Sequence, residues 1–461
     1  MKKIFSLLVV AAATANYVHA QTTTPQPITF PTYAGDGLRF SQTNYGSSAR
    51  FKGMGNAQIG VGGDISSLGG NPAGLGLFTR SEFVLTPEFN GTNIKADYLN
   101  NNTSTNKSQV NLNQIGVVFH MPTYRSKGQD TQTGVISASI GLGYNRNNDY
   151  GLESNFSGTN NTSSVYNMFY EENAGTLGNT QQVNVLRSGS VSEFSIAGAI
   201  NISNQIYIGA NLGLVSINMN NDSHLYESGN LANSTTYAVD YYQNQEVKGS
   251  GVNGRIGVIF RPVSEFRIGM NLQTPTWFNI DDRSAGSSSD KAVLDEEIYD
   301  FSYDLRTPFK GSLGASYVIG GRALISADVD FIDYSSMRFS SVDGVGIGEI
   351  NNANNDVKAL YKSAVNYRVG AEVKVTDLVS LRGGYGINGT AYKDDSKNQF
   401  QSKFYSGGIG YRNKNYSIDL AYQRVETNST FSPYLLQDFN EPVAQAKNNK
   451  NNVFLTFGVR F

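Results

Sequence analysis

From residue 81 to the C-terminus, apolar and polar residues alternate with a period of two, segment after segment. In the last segment Val453, Leu455, Phe457, Val459 and Phe461 share one face, and Asn452, Thr456, Gly458 and Arg460 the other, with Phe454 the exception. Val365, Tyr367, Val369, Ala371, Val373 and Val375 alternate with Asn366, Arg368, Gly370, Glu372 and Lys374. The same pattern runs through residues 136–143, 206–214 and 266–273. Strand side chains point alternately to opposite faces, so this period specifies strands with one apolar and one polar face. About 14 such segments can be counted, if residues 237–260 form one long arm. Each is roughly 10 residues or more, the length a tilted strand needs to cross a bilayer. Residues 203–204, 263–264 and 413–414 read as tight turns, and 151–190, 281–300 and 425–450 as long polar loops. Tyr144, Tyr150, Phe331, Tyr334, Tyr411, Tyr416 and Tyr422, near segment ends, read as an interfacial girdle. A soluble sandwich would use shorter strands. The expected fold is therefore all-β: a transmembrane antiparallel β-barrel of about 14 strands.

The composition fits. Mean hydropathy is only −0.33, because a barrel strand needs an apolar residue at every second position. Charged residues are 16% and the net charge is −2, which excludes a nucleic-acid binder built on a basic face. Cysteine is absent, which excludes disulfides, thiolate metal sites and cysteine nucleophiles. At the N-terminus, Lys2 and Lys3 precede the apolar stretch 4–15, and Val18-His19-Ala20 offers a cleavage site. Residues 1–20 thus read as a secretory signal peptide, too short to span a membrane. The chain is expected in the outer membrane of a Gram-negative-type cell, as a monomer among lipid and lipopolysaccharide. Its last strand, ending in Phe461, is expected to engage the barrel-assembly machinery.

Between signal and barrel the alternation is missing. Residues 21–40, with Pro25, Pro27 and Pro31, read as an extended leader. Residues 41–76 are rich in Gly and small side chains. Asp64 is placed to cap a short helix from Ile65, and Asn71 a second with Pro72 at its first position. Small residues pack in confined spaces, and the block precedes the first strand, so residues 21–78 are read as leader plus a hatch plugging the lumen of the barrel at 79–461. Asp64-x-Ser66, then Asn71-Pro72-Ala73-Gly74, together with Gly53-Met54-Gly55-Asn56-Ala57, resembles the FadL/TodX family of outer-membrane transporters for long-chain fatty acids, toluene and other hydrophobic compounds. Residues 305–308 (Leu-Arg-Thr-Pro) and 333–339 resemble a divergent branch whose members are sometimes labelled haemin receptors. The resemblance implies a 14-stranded barrel with an N-terminal hatch. It implies that a hydrophobic small molecule is captured at the loops, passes beside the hatch and leaves sideways through a gap in the wall. Asp64, Ser66, Asn71, Pro72, Ala73 and Gly74 would form the hatch or gate.

Arg267, Asp328, Asp330, Arg382, Asp419 and Arg460 fall on the polar face and are expected to face the lumen, chiefly as ion pairs bracing wall or plug. Catalytic sets are hard to build. Past the signal only His120, at a strand end, and His224, in what reads as a polar loop, remain. Neither suits a Ser/His/Asp triad or a His-ligated haem, although a Tyr ligand stays open. Asn-rich runs such as 351–355 read as loop composition. No enzyme activity, cofactor or metal is expected. The alternative to a transporter is a structural or adhesive barrel that binds an external partner through its loops.

Overall fold

The computed structural model describes residues 32–42, 44–124, 132–168, 178–230, 235–291, 294–436 and 441–461. The expected signal peptide and the first part of the leader lie outside the described residues. Eighteen strand segments make one antiparallel sheet, and in four places two segments continue each other along the wall, leaving 14 wall strands. These are β1 (Glu82–Tyr98), β2 (Asn101–Pro122), β3 (Val135–Asp149, then Leu152–Asn160), β4 (Asn179–Ile202), β5 (Ile206–Asn230), β6 (Thr236–Phe260) and β7 (Phe266–Gln273, then Trp277–Ser288). They continue as β8 (Glu297–Arg306, then Lys310–Ile319), β9 (Ala323–Asp333, then Arg338–Ser341), β10 (Ser363–Lys374), β11 (Val379–Asn388), β12 (Ser402–Arg412), β13 (Tyr416–Phe431) and β14 (Ala444–Arg460). The ring closes where β14 pairs with β1, from Glu82↔Arg460 to Asp97↔Gln445.

Outward residues along β5 explain how the wall sits in a membrane. Ile206, Ile208, Leu212 and Leu214 are exposed apolar side chains, and Ser216, Asn218, Asn220 and Asp222 follow on the same face. Apolar outward residues thus occupy only the first nine positions of a 25-residue strand. At about 3.3 Å per residue the strand is ~80 Å long, and most of it stands clear of the bilayer. This corrects the loops expected at 151–190, 281–300 and 425–450. Those stretches are largely paired strand, from Asn160↔Asn179, Gly286↔Glu297 and Phe431↔Ala444 inward. Beyond the bilayer the outward face turns polar and the inward face mixes apolar and polar residues, as in Val215, Ile217 and Met219 followed by Asn221 and Ser223 on β5, so the membrane pattern disappears while the ladder continues. His224 likewise lies in β5, bonded to Asp240 at 2.7 Å and stacked on Tyr242, not in a loop.

The end of the barrel carrying Glu82 and Phe461 has the short connections, at 203–205, 261–265, 320–322, 375–378 and 413–415, with 123–134 longer. It is called the turn end, and the opposite end the loop end. At the loop end, β1 and β2 join through Leu99 and Asn100, whose φ of 50° and 64° form a tight two-residue hairpin.

Three departures from the sequence reading are helical or inward-turned. α1 (Tyr33–Ser41) replaces part of the extended leader. Thr32 caps it, accepting from Gly35 N, and Ala34, Leu38 and Phe40 are buried. Two glycines in this stretch hide a helix that exists because its apolar side docks on the barrel interior. α2 (Ala49–Gly53) follows. α3 (Ile347–Leu360) contains the Asn-rich run expected as loop. Asn354 explains its retention: its side-chain amide donates to Phe339 O at 3.0 Å and accepts from Phe339 N at 2.9 Å, covering the otherwise unpaired edge of β9. Tyr150 and Tyr334 also depart from the girdle and are buried in the interior, whereas Phe331, Tyr411, Tyr416 and Tyr422 are exposed outside.

Candidate functional site

Residues 44–78 touch inward side chains on strands all round the closed ring, and only the lumen satisfies that geometry. Asn113 of β2 donates to Ser47 O at 2.6 Å, and Asn211 of β5 to Leu68 O at 3.0 Å. Ser316 of β8 donates to Gly60 O at 2.8 Å, and Gly55 N donates to Ser406 Oγ of β12 at 3.0 Å. Ala49 N donates to Thr456 Oγ1 of β14 at 2.7 Å. The segment is therefore anchored through its backbone. Its N–H and C=O groups must be satisfied by the wall, and its apolar side chains pack on the wall as well: Ile65, Leu68, Leu75 and Phe78 on Val84, Val118, Ala197 and Ala199, and Phe51, Met54 and Val61 on Leu324.

Both expected caps are formed. Asp64 accepts from Ser66 N at 2.9 Å at the head of the 3-10 turn Ile65–Leu68, and from the Ser66 and Ser48 hydroxyls at 2.7 and 3.0 Å. Asn71 Oδ1 accepts from Ala73 N at 3.1 Å, heading the 3-10 turn Pro72–Leu77. Its Nδ2 donates to Ile59 O at 2.8 Å and to Val258 O of β6 at 3.2 Å. Pro72, Ala73 and Gly74 are buried. The wall makes room with glycine: a Cβ at Gly257 would lie 1.9 Å from Asn71 Oδ1, and one at Gly209 would lie 2.5 Å from Pro72 O. Alternation counts such glycines as polar-face positions, and so misses that they form the seat of the segment.

The candidate lumen residues divide into two groups. Asp328 and Arg267 hold the N-terminal segment directly. Asp328 Oδ2 accepts from Gln58 N at 2.6 Å and Ile59 N at 2.9 Å, and Arg267 donates to Val61 O at 2.8 Å. Asp330, Arg382 and Asp419 belong to buried ion networks. Asp330 meets Arg368 at 2.7 Å and accepts from Tyr45 Oη at 3.0 Å. Lys310 and Arg368 lie 3.9 and 4.8 Å from the centre of the Tyr45 ring, so Tyr45 is held by cations as well as by its hydroxyl. Arg382 bridges Glu372 at 2.5 Å and Asp419 at 2.6 Å, and Glu372 also takes Arg50 of α2 in a two-pronged pair at 2.9 Å. Arg460 pairs with Glu82 at 2.9 Å, joining the last strand to the first near the turn end. The sequence placed Arg368 and Glu372 on the polar face without singling them out. Their importance comes from Tyr45 and Arg50, more than 300 positions away. Arg255, paired with Glu193 at 2.7 Å and fully buried, was missed for the same reason. Lys52 of α2 is buried over the Phe454 ring and donates to Tyr45 O at 2.9 Å; burial lowers its pKa to about 8.

Above this polar layer the lumen turns apolar. β5 shows the order: Gly209 and Asn211 meet the N-terminal segment, then Val215, Ile217 and Met219 enter one buried apolar cluster and Leu225 another. The first cluster joins Leu38 and Phe40 of α1 to Phe278, Phe301, Tyr303, Leu305, Phe339 and Val357. The second, nearer the loops, joins Tyr98, Phe156, Val183, Phe431 and Tyr434.

The wall is interrupted on one side between β2 and β3. Their backbone ladder stops at Gln114↔Asn145, near the bend that divides β3. Polar groups bridge the interruption. Gln109 donates to Asp149 at 2.7 Å, Arg146 pairs with Asp149 at 2.9 Å, and Lys107 donates to Arg187 O at 3.2 Å. Residue 44 covers its inner side, Asn44 N donating to Asn147 O at 2.8 Å. Asn71 and Pro72 lie elsewhere, against β5 and β6. Among the described residues no group of three His, Asp or Glu is arranged to hold a metal.

Comparison with known proteins agrees with this architecture. The structure resembles a FadL homologue of Pseudomonas aeruginosa (TM-score 0.59, 13% identity, 91% of this chain and 98% of that one). It also resembles the P. putida toluene transporter TodX (TM-score 0.56, 15% identity, 90% and 99%) and the CymD monoaromatic hydrocarbon channel (TM-score 0.55, 12% identity, 91% and 99%). No curated protein matches by sequence. Residues 45–454 match the model of the outer membrane protein transport protein family (OMPP1/FadL/TodX). With that match over most of its length, and a closed 14-stranded barrel, the chain belongs to the OMPP1/FadL/TodX family of Gram-negative outer-membrane transport proteins.

Proposed function

We propose that this protein is a channel for hydrophobic small molecules, either long-chain fatty acids or aromatic hydrocarbons, that residues 44–78 are its hatch, and that the ligand leaves sideways into the membrane. The observation that supports this best is the stacking of the lumen: an apolar stretch toward the loops sits directly on a polar, hydrogen-bonded stopper. A water-filled pore would give an apolar solute nothing, whereas a dry lumen keeps it out of water along its path. The family's solved members include a toluene transporter and a monoaromatic hydrocarbon channel, which supports this cargo class. The hatch is joined to the wall by small apolar clusters and by many hydrogen bonds and ion pairs, the latter of which water can replace when a stopper shifts. Asp64 and Ser66 hold its shape, while Asn71, Pro72, Ala73 and Gly74 form the part seated on the wall. The protein is not expected to catalyse a reaction.

The test is native mass spectrometry of the barrel purified in mild detergent, followed by extraction of what co-purifies. A bound fatty acid or aromatic molecule, depleted by Asn71→Ala, is the expected outcome. A barrel that is empty in repeated preparations and takes up neither added oleate nor toluene would overturn the reading in favour of a structural or adhesive barrel.

A further inference from the structure

One outward row of side chains crosses five strands at a single level. Leu214 of β5 is the register partner of Val252 of β6, Val252 of Trp277 of β7, Trp277 of Arg306 of β8, and Arg306 of Arg338 of β9. The next outward row toward the loops is polar throughout: Ser216, Ser250, Asn279, Asp304 and Ser340 follow one another in the same register. Toward the turn end the exposed outward side chains are apolar, among them Leu212, Leu272 and Phe309. The row from Leu214 to Arg338 is therefore the loop-side edge of the apolar band. Trp277, the one tryptophan of the chain, stands in it 50% exposed, as an amphipathic ring does at a membrane–water interface. Outer-membrane barrels carry their short turns on the periplasmic side and their longer loops outside. This edge thus meets the headgroups of the outer leaflet.

A groove of about 810 Å³ runs along the two rows. The first row and the polar row from Ser250 to Ser340 form its sides, and Val215, Gly251, Phe278 and Leu305, between them in sequence, form its floor. It borders the breaks in β7 and β8, where Pro275 and Pro308 can donate no ladder bond. Its charge comes from Arg306 and Arg338, both exposed. Side chains directly opposite on paired strands have Cβ atoms about 5 Å apart, and like charges placed so repel. Arginine does not escape by losing its proton. Among the described residues neither guanidinium has a carboxylate partner, and Asp304, in the polar row, accepts from Asn279 at 3.2 Å. Higher on the same face Arg283 pairs with Asp300 at 3.5 Å, and Lys248 pairs with Glu246. Two unpaired guanidiniums side by side, at headgroup depth and above an apolar wall, match a phosphate carried on acyl chains, because the planar fork of each binds phosphate oxygens in two-pronged fashion. The outer leaflet of such a membrane supplies that chemistry as lipopolysaccharide, whose lipid A is a phosphorylated and acylated glucosamine disaccharide. Each arginine lies in one of the two strings that the sequence marked as distinctive, residues 305–308 and 333–339.

We propose that this groove binds one lipopolysaccharide molecule of the outer leaflet, with Arg306 and Arg338 sharing a lipid A phosphate and Val252 and Trp277 packing on its acyl chains. The site lies on the outer wall and does not depend on what the lumen carries. Because the chain has one tryptophan, the fluorescence of Trp277 reports on the groove alone. The full-length barrel is folded into detergent from the denatured chain, so that no native lipid is carried over, and assembly is checked by heat-modifiable gel mobility. It is titrated with lipid A, with the same lipid A after dephosphorylation, and with phosphatidylglycerol. The expected result is a saturable change in Trp277 emission with lipid A. Apparent affinity should be weaker by about tenfold or more for dephosphorylated lipid A, for phosphatidylglycerol, and for Arg306→Gln with Arg338→Gln. Where the double variant does not assemble, Arg338→Gln alone takes its place. Asp304→Asn removes the negative charge of the groove and should tighten binding, whereas Arg283→Gln, higher on the same face, should leave it unchanged. No saturable change, equal binding of dephosphorylated lipid A or phosphatidylglycerol, or unchanged binding by the arginine variants would overturn the proposal. A loss in Arg283→Gln as large as in the groove variants would overturn it too, since it would show diffuse attraction to the whole face.

Discussion

The lumen near the turn end combines small apolar clusters with the wall-to-segment hydrogen bonds and buried ion pairs, whereas the lumen toward the loops is dominated by two larger apolar and aromatic clusters. The two layers differ in how they respond to water. A hydrogen bond released from the hatch can be remade with solvent, so its net worth is about 1 kcal/mol. An aromatic side chain such as Phe339 gains about 1.5–3 kcal/mol by staying out of water, and nothing replaces that gain once it is wetted. On the proposed channel reading, the layer richer in hydrogen bonds would be the part that moves, and the layer richer in apolar side chains the part that stays dry around a ligand.

Removing the movable layer should have the largest effect. Deletion of residues 41–76 is expected to leave a folded barrel, since the ring closes through β1 and β14 without them. Its single-channel ion conductance should rise severalfold in planar bilayers. Unchanged conductance would mean that some other part of the chain seals the lumen. Next in size is Arg368→Ala. It leaves buried Asp330 with Lys310, 3.7 Å away, as its one remaining cation beside the Tyr45 hydroxyl, and removes one of the two cations over Tyr45. Breaking a buried pair in this way costs about 3–5 kcal/mol, to be read as a lower midpoint in urea-dependent unfolding. Replacing Phe339 by Leu, in the apolar layer, should cost less than half as much in stability yet weaken binding of an apolar probe. If Arg368→Ala weakened probe binding and Phe339→Leu did not, the assignment of roles to the two layers would be reversed.

Asn71→Ala sharpens the comparison within the hatch. It removes a cap and two hydrogen bonds to carbonyls, one of them to the wall at Val258. The expected loss is about 2–3 kcal/mol of local docking, with the melting of the barrel itself unchanged. Faster hydrogen exchange confined to residues 57–77 would show it, and global destabilisation would refute a purely local role.

These residues also show what a sequence can and cannot reveal. Alternation along the wall specified a barrel of the observed strand number, because lipid contact imposes a one-dimensional rule on each strand. The caps at Asp64 and Asn71 were legible because capping is local, decided within three residues. The partners of the hatch were not. Arg50 finds Glu372 and Tyr45 finds Asp330 only after the ring has closed, and no local pattern encodes that meeting. The strands' reach beyond the membrane was hidden for a related reason: where the outward face meets water and the inward face mixes apolar and polar residues, the lipid-facing two-residue pattern is lost although the ladder persists. α3 escaped notice because asparagine favours loops, while Asn354 is recruited by an edge of β9 that lies 15 residues earlier.

The smallest effect should come from Lys52, the one lysine of the hatch. Its ammonium is buried near Glu88 and Arg368, and its pKa falls to about 8 from the ordinary 10.5. The docked hatch therefore holds fewer protons than the released one between these values, and docking must strengthen as pH rises through that window. Below pH 8 the lysine is charged in both states and the full cost of burying it is present. Between pH 8 and 9 the gain is about 1 kcal/mol. Ion conductance of the intact protein should accordingly fall as pH is raised from 8 to 9, and Lys52→Met should abolish that slope while keeping the stem packed on Phe454. A slope that survives in Lys52→Met would assign the titration to another group, and conductance that rises with pH would contradict the burial of this charge in the docked state.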